Sequence, residues 1–90
     1  SGHLLQWNGL GVLERLVLHL VAQGQTALYG AETRVLIADK LGVDEVSAAT
    51  VQGAVRKLER KDLMTRDSGN TLQINSPLFQ AWIVAHTKDE

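Results

Sequence analysis

The chain has no cysteine, one proline and few aromatic residues: two Trp, one Tyr and one Phe. Without a thiol, neither a disulfide framework nor a Cys-ligated zinc site is available, so packing must hold the fold. The same absence fits a cytoplasmic protein. No apolar run approaches the roughly 20 residues needed to span a bilayer, and the N-terminus lacks a basic-then-apolar leader pattern, so no membrane partner is expected. A basic excess is also missing. Nine Lys and Arg stand against ten Asp and Glu, a formal net charge of −1. Nucleic-acid binders usually carry surplus positive charge, because phosphate neutralisation supplies much of their affinity. Any such contact here must come from a local basic face. His3, His19 and His86 are scattered without ligand spacing, so no metal site is expected. No Ser/His/Asp set, paired carboxylates or GxxxxGK[ST] loop occurs, so no catalytic residue and no cofactor are expected either.

What is present is one small domain's worth of periodic apolar sequence: 90 residues, 44% hydrophobic and 21% charged. The domain is read over 4–87. Residues 1–3 read as a cloning remnant, and 88–90 as a frayed tail that begins at Thr87. Asn8 caps a first helix running to about residue 23, with Gly24 as its stop. Leu13, Leu16, Val17 and Leu20 form its apolar stripe. Val12, Leu18 and Val21 fall off that stripe, which leaves two readings: a helix with an outward apolar face for a partner or a second copy, or one wedged in the middle of the domain. "GQTALYG" is either a short edge strand or a loop. A second helix follows over 32–41, stopped by Gly42, with Leu36, Ile37 and Leu41 as core and Ala38 at a close helix contact. Ser47 caps a third over 48–61, whose buried face is Val51, Ala54, Val55 and Leu58. Leu63, Met64 and Thr65 begin a strand, "DSGN" is a turn, and "TLQIN" alternates with Leu72 and Ile74 on one side. Ser76-Pro77 opens a last helix expected to bury Leu78, Phe79, Trp82 and Ile83.

With Ala38, Gly42 and Val51, "SAATVQGAVRKLERKDLMTRDSGN" resembles the winged helix-turn-helix signature of bacterial regulators. There a Ser/Thr-Val segment opens the recognition helix, a Leu-Glu pair sits near its end and a Gly-Leu-Val/Ile-x-Arg strand follows. Leu58-Glu59 and Leu63-Met64-Thr65-Arg66 fill those places. "LQINSPLFQAWIVAH" resembles the close of the winged-helix domain C-terminal to prokaryotic AAA-type ATPases, through Leu72, Ile74, Pro77, Leu78, Phe79 and Trp82. The resemblance implies a mainly α fold with a small β-hairpin: a three-helix core, a two- or three-stranded wing and a further C-terminal helix. It also implies that an ATPase module lies elsewhere in a larger chain. Two departures stand out. Asp62 occupies the family's usual glycine, a position that often needs positive φ. The connector "VDEVSAA" is longer than a tight turn.

Under that resemblance the third helix, 48–61, enters the major groove of double-stranded DNA and the wing, 63–75, rests on the backbone. At about 100° per residue, Ala49, Gly53, Arg56 and Arg60 point away from Val51 and Leu58, flanked by Gln52 and Lys57. Arg56 suits a guanine edge or a phosphate; Arg60 and Lys57 suit phosphates. Ser47, Thr50 and Gln52 offer hydrogen bonds. Arg66, Ser68, Gly69 and Asn70 are the wing's contribution. The competing reading is a solvated basic face diluted by Asp44, Glu45, Glu59, Asp62 and Asp67. The functional alternative is a protein-interaction or dimerisation module that docks through the first helix, Leu18 included, onto the ATPase domain, another protein or a homodimer partner.

Overall fold

The computed structural model describes residues 2–87. Its elements are α1 (Gly2–Asn8), α2 (Val12–Ala22), α3 (Ala31–Leu41), α4 (Ala48–Arg60), β1 (Met64–Arg66), β2 (Leu72–Ile74) and α5 (Pro77–His86). The first expected helix is therefore two helices. Asn8 ends α1 rather than capping α2, and the break falls in Gly9-Leu10-Gly11, where the Leu10 amide bonds back to the Trp7 carbonyl at 3.1 Å. Leu10 then drops into the core. Gly11 starts α2 with no side chain to cap it. The Glu14 carboxylate reaches back instead and accepts the Gly11 N–H at 3.1 Å.

Helix α2 is the centre of the molecule, in contact with α3, α4, α5 and β2. That explains why its apolar residues run around its circumference. Val17 and Leu18 have no exposed surface, and Leu20 and Val21 have little. The expectation of an outward Leu18 is corrected: it is core, and α2 is the wedged helix. Val12 does face out, 63% exposed. Two further core expectations also fail. Leu36 on α3 is 40% exposed and Leu78 on α5 is 75% exposed, while Ile37, Phe79 and Ile83 are buried and Leu41 and Trp82 partly so. Thr87 is likewise not frayed. It is 2% exposed and bonded to His19, whereas residues 88–90 lie outside the described residues.

Three helices stop in the same way. One or two residues past each end the chain takes positive φ: Gly24 (91°), Gly42 (71°) and Asp62 (59°). In each, that residue and the next donate back to the last turn; for α4, Asp62 N–H bonds the Glu59 carbonyl and Leu63 N–H the Leu58 carbonyl, both at 3.0 Å. The positive φ expected at Asp62 is present. Its carbonyl accepts the Asn75 side-chain N–H at 2.6 Å, which ties the helix stop to β2.

Segment 24–30 is a loop turning at Leu28 and Tyr29, so among the described residues the sheet has two strands. They pair antiparallel as Met64↔Ile74, Thr65↔Gln73 and Arg66↔Leu72. At the turn the Asp67 carboxylate accepts the Gly69 and Thr71 N–H groups at 2.9 and 3.0 Å, and Asn70 supplies the positive φ of 63°. Met64 and Ile74 face the core. In the loop that joins α3 to α4, the Val46 carbonyl accepts Arg34 Nη1 at 3.3 Å. Gly2 and His3 belong to α1, and the His3 ring lies 5.4 Å from Phe79 and 6.2 Å from Trp82. Among the described residues no helix is long and apolar enough to cross a membrane.

Candidate functional site

Ser47 caps α4 through its hydroxyl, which accepts the Thr50 N–H at 3.1 Å; the two hydroxyls are also 2.9 Å apart. Both side chains are thus engaged in starting the helix, which accounts for their types without a ligand. The buried face then forms as the spacing predicts, with Val51, Ala54, Val55 and Leu58 enclosed. This fixes the opposite face. Ala49, Arg56, Lys57 and Arg60 are exposed, with Gln52 and Gly53 half-buried beside them.

Arg56 stands on a ridge between two clefts. One, about 520 Å³, lies against the start of α2 and is lined by Val12, Thr50, Gly53, Arg56, Lys57 and Arg60 among others. The other, about 360 Å³, lies against the hairpin and Tyr29, with Gln52, Arg56, Glu59 and Arg66 in its walls. The structure therefore brings Arg66 to the α4 face. Asn70 lines neither cleft: with Arg66, which donates to its carbonyl at 3.4 Å, it lines a third against the loop of Gln25 to Gly30. Ser68 and Gly69 are exposed at the turn, where the Asp67 carboxylate already occupies the Gly69 amide.

Charge on this face is partly neutralised. Arg66 Nε lies 3.7 Å from Glu59 Oε2, and Lys61 Nζ lies 3.1 Å from Glu14 Oε2. Among the described residues Arg56, Lys57 and Arg60 form no ion pair. Burial pushes the Glu14 carboxyl up, but the Gly11 N–H, the Lys61 hydrogen bond and the charges of Lys61 and Lys57 outweigh it, and the group sits below its ordinary value. Glu14 and Lys61 were absent from the sequence-based reading of this site. Their 47-residue separation offers no spacing signal, and only the packing of α2 on α4 joins them.

Gly53 carries a separate message. A Cβ built there meets nothing within 4 Å, and its φ is not in the left-handed range. A glycine inside a helix costs about 0.5–1 kcal/mol relative to alanine, and no contact within the chain requires it here.

Compared with protein-family models, with curated proteins and with solved structures, the chain matches none.

Proposed function

We propose that the outward face of α4 binds double-stranded DNA, with Ala49 and Gly53 admitting the groove wall, Arg56 reaching a base edge or phosphate, and Lys57 and Arg60 on phosphates. The carrying observation is the outward row Ala49, Gly53, Arg56 and Arg60 with Lys57 beside it, in which a bare stretch of helix adjoins three cations without ion pairs among the described residues. In this reading α3 and α4 are the paired helices of a winged helix-turn-helix, β1 and β2 are its wing, and Arg66 stands at the wing's base. In this reading the domain is the DNA-contacting accessory of an AAA-type ATPase. The net charge of −1 makes the contact modest and strongly salt-dependent.

Fluorescence anisotropy with a labelled random duplex tests it. Binding should weaken as salt rises, with a log–log slope of about −3 for three phosphate contacts. R56A/R60A should lower affinity and flatten the slope by about 2 units. A dissociation constant weaker than about 1 mM at low salt would remove the reading, since non-specific binders reach roughly 10⁻⁴ to 10⁻⁶ M.

A protein-docking role rests on different residues from those first expected. Leu5 on α1 and Leu78 on α5 are each about three-quarters exposed, at 76% and 75%. Sedimentation of L5Q/L78Q beside the parent chain separates the two roles: association lost with duplex affinity intact assigns docking to α1 and α5.

A further inference from the structure

A further cleft lies between α2 and α3, and shares only Val12 with the cleft on the α4 face. It measures about 220 Å³ and is lined by Val12, Arg15, Leu16, His19 and Lys40. The first four recur at the i, i+3, i+4, i+7 spacing of one helical stripe. The stripe therefore carries two apolar groups and two nitrogen-bearing ones towards a common space.

The chemistry of His19 is fixed from behind. Thr87 Oγ1 donates its single hydrogen to the Ile83 carbonyl at 2.5 Å. Its 2.7 Å contact with His19 Nδ1 must then be donation by the ring N–H. In the neutral ring, Nε2 is left as an acceptor. His19 is nine-tenths buried, yet no fully enclosed side-chain nitrogen among the described residues lacks a partner, so Nε2 keeps some open surface, and the cleft is the space that His19 lines. Arg15 spends its Nε–H on the Leu10 carbonyl at 3.2 Å and forms no ion pair among the described residues, which leaves its terminal N–H groups for an anion.

We infer that this cleft binds a small hydroxy-carboxylate with an apolar body: carboxylate on Arg15, hydroxyl donating to His19 Nε2, and the body on Val12 and Leu16. Phosphate fits less well, because it would leave the apolar walls of Val12 and Leu16 unused. The volume lies below the roughly 300–1,000 Å³ of drug-sized sites, which sets the ligand at about one ring. Lys40 lines the same cleft from α3.

Mandelate, phenylacetate and benzyl alcohol form the probe set, since each of the latter two lacks one of mandelate's groups. Titrations are followed by backbone and imidazole ¹⁵N shifts of the whole chain. Mandelate should give saturable shifts at Arg15 and at His19 Nε2. Phenylacetate should bind about tenfold more weakly for want of the hydroxyl donor, and benzyl alcohol at least as weakly for want of the charge. Arg15→Met should weaken mandelate about tenfold or more. Should that variant lose its fold, Val12→Asp at the exposed rim places a like charge beside the carboxylate and should weaken binding with the backbone spectrum retained. Equal affinities for the three probes, or mandelate shifts that leave His19 Nε2 unmoved, would overturn the assignment.

Discussion

Lys61 and Glu14 meet at 3.1 Å, 47 residues apart, and join the end of α4 to the start of α2. The same carboxylate caps α2 through the Gly11 amide. One buried side chain thus fixes both a helix terminus and a helix–helix contact. The folded-state pKa of Glu14 is lowered, so its stabilisation is complete above the unfolded value of about 4.3 and is lost as pH falls through the folded value. Glu14→Gln should cost about 1–2 kcal/mol at pH 7, the half-exposed Lys61 contributing little of it. That gap from the parent chain should close as pH drops below 4. Urea denaturation at a series of pH values measures it, and a gap independent of pH would contradict the assignment.

Gly53→Ala should raise stability by about 0.5–1 kcal/mol, because the new methyl meets open space and helix propensity improves. Gly53→Leu should leave the fold intact and reduce duplex affinity by occupying the approach to α4. Stability and affinity moving in opposite directions at one position is the outcome to look for, by urea midpoint and anisotropy.

Asp62→Gly should also stabilise, by about 0.5–1 kcal/mol, since φ of 59° burdens a side chain and not a glycine. The bond from Asn75 is to the Asp62 backbone carbonyl and survives the change. Thermal melts monitored by circular dichroism read the gain.

The two leucines misplaced by periodicity make a matched pair. Leu18→Ala should cost about 2–5 kcal/mol, as a fully buried side chain leaves a cavity. Leu78→Ala should stay within about 0.5 kcal/mol. Comparable losses in the two chemical-denaturation curves would count against the packing described.

Local chemistry carried much of this fold. Ser47 and Ser76-Pro77 announce their helices through capping, and both serines accept the expected amides. Alternation over "TLQIN" puts Ile74 inside as read. Where two apolar stripes compete, spacing alone gave no answer. On α3, Val35 and Leu36 lie beside Ile37 and Ala38, and only α2 on one side decides which pair is covered. On α5, Leu78 and Phe79 are neighbours about 100° apart, and the core takes Phe79. The break before α2 was signalled by Gly9 and Gly11 but hidden by the apolar rhythm through Leu10. At the candidate site the outward Arg row was legible from helical geometry. The pairing of Lys61 with Glu14 beside it was not, because that depends on a contact between distant segments. The Trp82 cluster was hidden for the same reason: His3 and His86 come from opposite ends of the sequence, and His86 stacks on the indole at 4.7 Å.

The Asn75 bridge to Asp62 has a consequence for strand register. A two-stranded hairpin of three-residue strands could slide by one residue at little hydrogen-bonding cost, turning Ile74 outward and Gln73 in. Asn75 prevents this because it is held twice, by its side chain on the Asp62 carbonyl and by its amide on the Leu63 carbonyl at 3.1 Å. Both acceptors belong to the stop of α4, whose position is set by a fully buried helix face. The hairpin therefore borrows its reading frame from the helix, and its two strands have a single alignment for as long as the last turn of α4 holds.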